Sequence, residues 1–259
     1  MLWVMDSATA KMADLASRIR HAQSYPFARP ACSFLFEGGI MQPLRRDSCL
    51  GRTAVIAAGS NASPARLAAK FGDGASIPVE RAELDGFTVV FAGHFTAYGA
   101  MPATLCPHPG ARTTVWITWL TPEQLSIMHR SEGVIGCCEA AQRYDYAALD
   151  GLDLRLDSAR SIDKAGAYLS RRMFAPQARP IRLAEVSSER CTFRAASHPS
   201  VLREAAGHLD PETGFGDFMT EVFAGIDQRQ ALFERLTPFT IEREKAWPGG
   251  MLSMPSIVD

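Results

Sequence analysis

Residues 53–72 read TAVIAAGSNASPARLAAKFG, and this stretch decides the fold. Thr53 to Ala58 is a short apolar run with the length of a buried strand. Gly59-Ser60-Asn61 follows as a turn. Ser63 stands at a helix cap, Pro64 takes the first helical position, and Ala65 to Phe71 continue the helix. Gly72 and Gly74 end it. A strand, a small polar turn and a helix in immediate succession leave backbone N–H groups unpaired and pointing outward. Such groups favour a carboxylate, a phosphate or a developing oxyanion. An ordinary capped turn has the same pattern. The stretch has the glycine spacing of neither a dinucleotide loop nor a Walker loop, and Ser60 lacks the G-x-S-x-G setting of an activated hydrolase serine.

Further along, Phe87 to Phe95 reads as a strand and Tyr98 to Leu105 as another, broken by Pro102. Pro107-His108-Pro109-Gly110 reads as a turn, and Thr114 to Leu120 as a strand carrying Trp116 and Trp119. Thr121-Pro122-Glu123-Gln124 starts a helix: Thr121 caps, Pro122 sits first and Gln124 completes a capping box. It runs to about Arg130, and Glu132-Gly133 follows. Glu139 to Ala147 and Leu152 to Leu156 read as strands flanking the Asp150-Gly151 turn, and Lys164 to Ser170 as one more. Then the pattern turns helical, over Pro199 to His208 and Gly216 to Leu236. The apolar stripe of Phe218, Val222, Phe223, Ile226, Leu232 and Phe233 suits a core face or a dimer face.

Upstream, Ala8 to Ala22 has helical spacing at Met12, Leu15 and Ile19 behind a capping Ser7. Pro26, Pro30, Gly38-Gly39 and Pro43 then break regular structure. The expected organisation is an N-terminal extension over 1–50 packed on the main body, a central unit over 51–175, and a mainly helical extension of the same domain over 176–259. Strands first and helices later argue for an α+β class rather than a βαβ succession.

The 259 residues are 47% apolar, enough for a sizeable core. Charged residues are 21% and the net charge is −1, so there is no overall basic excess of the kind that neutralises nucleic-acid phosphates. No apolar run reaches the roughly 18–20 residues that span a bilayer, and Met1 to Met5 is too short for a signal peptide's apolar region. The expectation is a soluble, cytoplasmic protein with no nucleic-acid or membrane partner. The cysteines, Cys32, Cys49, Cys106, Cys137, Cys138 and Cys191, match neither a disulfide framework nor a paired C-x-x-C metal site.

Glu132 is the second chemical feature. It sits just past a helix end, beside Gly133, and a carboxylate in partly apolar surroundings can take and give protons. By itself it is equally a solvated loop glutamate. The order of features adds weight: a strand, Gly59-Ser60-Asn61, a capped helix, Ala103-Thr104, the Pro107–Gly110 turn, a tryptophan strand, a T-P-E-Q-L helix, then Glu132-Gly133-Val134. Over roughly residues 53 to 170 this succession resembles the γ-glutamylcyclotransferase-like family. Members open with a Tyr-Gly-Ser-Asn-Leu segment and carry an acidic catalytic residue in a short E-G-[VY] segment. The tyrosine and leucine of that opening segment are Ala58 and Ala62 here, and Met101-Pro102 replaces a glycine expected before Ala-Thr.

The resemblance implies a mixed β-barrel flanked by helices, with no metal or organic cofactor. It implies intramolecular aminolysis of a small-molecule amide, in which the substrate's own α-amine attacks its γ-amide carbonyl. Glu132 would serve as general acid and base. Gly59, Ser60, Asn61 and Ala62 would bind substrate, with Tyr98 and Tyr144 as pocket hydroxyls. Tyr98, Tyr144 and Tyr146 are each candidates to replace the missing loop tyrosine, the last two sharing a strand face by their spacing. An amide hydrolase on the same pocket, and a catalytically inactive binding or assembly module, are the other readings. A homodimer is compatible with all three. Cys106 and His108 flank a proline turn and are expected to be structural, as are Cys137-Cys138, and His129 is expected to face solvent or the helix C-terminus.

Overall fold

The computed structural model describes residues 7–136, 141–243 and 252–253. The chain opens with helix α1 (Ser7–Gln23) and a hairpin of β1 (Phe34–Glu37) and β2 (Ile40–Pro43). Gly38 and Gly39 turn this hairpin at φ 62° and 75°, a pair of left-handed positions that tight hairpins require. Strand β3 (Thr53–Ala57), helix α2 (Pro64–Phe71) and the long strands β4 (Ser76–Phe91) and β5 (Ala103–Leu120) follow. Helix α3 (Pro122–Ser131) leads to β6 (Tyr144–Leu149), β7 (Leu154–Leu156), β8 (Ser161–Ile162), β9 (Ala165–Ser170) and β10 (Arg172–Phe174). Short strands β11 (Arg182–Leu183), β12 (Ser188–Glu189) and β13 (Ala195–Ala196) precede helices α4 (His198–Leu209), α5 (Phe215–Phe223) and α6 (Ile226–Leu236). Strands β14 (Thr240–Glu242) and β15 (Leu252–Ser253) end the described chain.

The architecture is α+β, built on a mixed sheet in the order β13-β11-β4-β5-β3-β9-β6-β15. β3 pairs antiparallel with β5 and parallel with β9. Among the described residues the ladder does not close, so the expected barrel is corrected to an open sheet. β4 explains this. One of its edges carries β5, and the other is taken in turn by β1 at Ser76–Val79, by β7 at Ala82–Leu84 and by β11 at Val90. Among the described residues neither β6 nor β15 pairs with β4.

β3 shows why its sequence is almost continuously apolar: both faces are buried. Ile56 packs with Ile117 and Trp119 on one side, and Val55 and Ala57 with Trp116 on the other. α2 and α3 cover the second face through Leu67 and Met128, while α4, α5 and α6 pack on the first through Val201, Phe218 and Leu232.

Three element readings need correction, the first being the strand read over Phe87 to Phe95, which is the second half of β4 and ends at Phe91. The separate strand and proline turn before Trp116 belong to one strand, β5. Its pairing with β4 runs from Thr118 back to Arg112, skips, and resumes at Pro107 opposite Phe87, so residues 108–111 bulge against Gly86 alone. Pro109 is tolerated because that bulge needs no regular ladder bonds. The long C-terminal helix is two helices, broken at Gly225, whose φ of 151° excludes helical continuation. Phe218, Val222 and Leu232 of its stripe enter the core, while Ile226 remains 65% exposed.

Segment 25–50 is built into the body: Tyr25, Phe34, Leu35 and Phe36 are buried, and β1 extends the sheet beside β4. No described helix is long and apolar enough to cross a membrane.

Candidate functional site

The strand–turn–helix unit forms one wall of a cavity of about 490 Å³. At the end of β3 the chain passes through Ala58 and Gly59, makes a short 3-10 turn over Ser60–Ala62, and enters α2. Ser63 occupies the cap position, but its side chain makes no capping bond. The N–H groups of Ser60 and Asn61 start the turn and have no backbone acceptor among the described residues. Gly59 is required sterically: a Cβ there would overlap the hydroxyl of Tyr25.

Glu132 lines the same cavity as the C-cap of α3, beside that turn. The helix is placed by its start, where the Thr121 hydroxyl accepts from Gln124 N at 3.3 Å and the Gln124 side chain accepts from Thr121 N at 3.1 Å. Glu132 Oε1 accepts from Asn61 Nδ2 at 3.1 Å and from the Lys70 ammonium. Lys70 also donates to Asn61 Oδ1 at 2.7 Å, so the loop, α2 and α3 are tied through one three-residue network. Lys70 and Glu132 are 9% and 17% exposed, a largely desolvated ion pair. Both contacts fall on Oε1, leaving Oε2 without a protein partner among the described residues.

Tyrosines supply much of the remaining lining. Tyr25 accepts from Ala103 N at 2.7 Å, and Tyr144 donates to Ala103 O at 2.9 Å, so the two hydroxyls bracket one residue at the start of β5. Burial, followed by the neighbouring Tyr98, holds Tyr25 well above the ordinary tyrosine range, so it stays protonated. Its O–H proton has no acceptor among the described residues and is available to a bound molecule. Tyr98 is also raised, chiefly by burial, with Arg66 opposing. The Tyr168 hydroxyl and His129 Nδ1 are 2.8 Å apart, and burial lowers His129 from its usual range. His94 lies edge-on to Tyr144 and is lowered to about 3, by burial first and by Arg143 second.

The structure thus brings Gly59, Ser60, Asn61, Tyr98, Tyr144 and Glu132 to one cavity. Ala62 is a correction: it has no exposed surface and packs with Leu67 in the core beneath the loop. Tyr146 does not line the cavity either; it covers Gly166 and packs on Tyr168. His129, expected to face outward, is buried against Tyr146 and Tyr168. Cys106 is buried away from the cavity, its thiol pushed up to about 12 by burial and then by Cys191. His108 bonds Thr192 instead. Cys137-Cys138 and Glu139 lie outside the described residues. Sequence reasoning missed Tyr25, Arg66, Lys70, Tyr168 and His94. Only the spacing of Arg66 and Lys70, four apart and hence on one helix face, was a usable signal. Among the described residues, no group of three or more His, Cys, Asp or Glu is placed to hold a metal ion.

No protein-family model matches the chain, and no curated protein does. Among solved structures it is similar to one titled gamma-glutamyl cyclotransferase, at TM-score 0.36 and 16% identity over 46% of this chain and 66% of that one. It is similar to a solution structure from Arabidopsis thaliana at TM-score 0.35 and 15% identity, covering 47% of this chain and 70% of that one. An uncharacterized protein from Homo sapiens aligns at TM-score 0.33 and 18% identity, covering 46% of this chain and 66% of that one. The chain spans about two thirds of these proteins' length. At such scores the likeness carries no argument about activity, which rests on the cavity's own chemistry.

Proposed function

We propose that this cavity cleaves a small γ-glutamyl or related amino-amide by intramolecular amine attack, with Glu132 as general acid and base. The observation that supports this best is that Glu132, whose Oε2 has no protein partner among the described residues, lines one cavity with the Ser60–Asn61 turn. Starting from the free amine, the attacking nitrogen forms a bond to the γ-carbonyl carbon and the C–N bond to the leaving group breaks. One proton passes from the attacking to the leaving nitrogen. A single carboxylate can take it and return it, and Asn61 and Lys70 hold that carboxylate in place. The products are a five-membered lactam, 5-oxoproline for a γ-glutamyl substrate, and the released amine.

Intramolecular attack suits a site of this kind. The protein mainly selects a folded conformer of the substrate, so the entropic gain does not depend on an activated protein nucleophile. Negative charge developing on the carbonyl oxygen would be met by the turn's N–H groups and by the free O–H of Tyr25. Mass spectrometry of purified protein incubated with a panel of γ-glutamyl amides tests the reading. The expected outcome is a lactam from wild type and at least a hundredfold less from Glu132→Gln. Equal lactam formation by both proteins would remove Glu132 from the chemistry.

A further inference from the structure

A second groove, of about 710 Å³, shares only Tyr25 with the cavity described above. It lies between the segment 23–31, strand β5 and the start of α4. Two cations line it, and they differ. Arg81 is neutralised, donating to Asp157 at 3.2 Å and to Glu83 at 2.9 Å. Arg29 forms no ion pair among the described residues. Its Nη2 donates to the backbone carbonyl of Glu185 at 2.9 Å, and its guanidinium carbon lies over the Trp116 ring, 4.7 Å from the centroid. Its Nη1 is buried with no acceptor. Trp116 is 7% exposed, and its Nε1 is likewise buried with no acceptor. The Glu185 carboxylate does not fill that role: it accepts from His198 N at 2.9 Å, at the start of α4. Burial lowers the Arg29 guanidinium from the ordinary arginine range, with Tyr25 and then Glu185 opposing.

Folded proteins leave few buried donors unpaired, and two on neighbouring side chains mark a place where an acceptor is missing. We infer that this groove binds a small organic monocarboxylate, whose carboxylate accepts from Arg29 Nη1 and Trp116 Nε1. The charge count favours a monoanion: Arg29 is one uncompensated cation, and Arg81 is already paired, so the second charge of a phosphate would have no partner. The walls favour an organic ligand, because Pro26, Pro30, Pro199 and Trp116 offer apolar surface that an inorganic anion would leave unused. Both donor nitrogens are shielded from solvent, so Arg29 has to turn to meet the ligand. One hydrogen bond and one ring face hold its guanidinium, and its fork then suits a planar carboxylate. The site involves neither Glu132 nor the 59–61 turn and stands independently of the aminolysis reading.

The test is calorimetric titration of the full chain with acetate, butyrate and benzoate, at constant ionic strength set with chloride, and with the corresponding primary amides. Wild type is expected to bind benzoate about 10- to 100-fold more tightly than benzamide. Arg29→Gln is expected to abolish that preference, and Arg29→Lys to keep part of it, since the charge remains without the fork. Trp116→Phe keeps a ring face and removes the N–H, and is expected to weaken benzoate binding about 3- to 10-fold. Arg66→Gln, in the other cavity, is expected to leave benzoate binding unchanged. Thermal unfolding shows which variants are folded, and Arg29→Lys with Trp116→Phe decide the matter if Arg29→Gln is not. A wild type that does not prefer carboxylates to amides overturns the assignment. So does a preference that survives in Arg29→Gln, one lost in Arg66→Gln instead, or inorganic phosphate binding more tightly than benzoate.

Discussion

Gly59 and Tyr25 illustrate how the site is fixed one residue at a time. The turn approaches Tyr25 so closely that only a residue without a Cβ fits at Gly59, and the same hydroxyl satisfies the buried N–H of Ala103. Tyr25→Phe keeps the ring, leaves that N–H without an acceptor and removes the free O–H. The expected cost is about 1–3 kcal/mol in urea unfolding, with a fall in turnover larger than any change in KM. Unchanged turnover would exclude Tyr25 from stabilising the oxyanion. Glu132 and the 59–61 turn were legible in the sequence because each is announced locally, by a helix end and by a strand-to-helix junction. Tyr25 was not. It reaches the cavity from a segment broken by Pro26 and Pro30, and nothing local tells which of the chain's tyrosines points inward. The α2 cations were visible as a pair on one face, but the direction of that face is set by packing of Leu67 and not by local sequence.

At the scale of elements, α3 is the clearest success of sequence reading, since its capping box is present with both bonds formed. Thr121→Ala removes one of them. It should cost about 1 kcal/mol of stability, measured by thermal or chemical unfolding, while leaving the cavity residues in place. A loss within error would mean that tertiary packing alone positions the helix. Elsewhere the local signal was real but misassigned. Pro109-Gly110 does turn the chain, at φ 84° for the glycine, yet as a bulge inside β5 rather than as the end of a strand. Pairing with β4 on both sides of the bulge decides that outcome, and strand partners are not written in the strand itself. Gly225 was overlooked because the apolar stripe continues through it in helical register, although the backbone does not.

For the molecule as a whole, the α+β class followed from the order of elements, while sheet closure did not, because it depends on which strands occupy the outer edge of β4. Stability should also carry a whole-molecule signature in its pH dependence. Burial lowers His94 to about 3 and His198 to about 4 from the ordinary 6.5, so the folded chain keeps both imidazoles neutral while the unfolded chain protonates them. The lowered values place their full contribution above about pH 6.5. It is lost as pH falls toward 4, at about 1.4 kcal/mol per pH unit for each group. Urea midpoints at pH 7 and pH 5 measure this, and His94→Phe is expected to reduce the loss by about half. An identical loss in that variant would remove His94 from the account. The central claim is that the substrate's own amine attacks its γ-carbonyl with Glu132 carrying the proton, and the most direct test is to incubate the protein with a γ-glutamyl amide in water enriched in oxygen-18. Attack by the substrate's own amine predicts 5-oxoproline without label. Glutamate carrying one labelled oxygen would show that water is the nucleophile and would contradict the account.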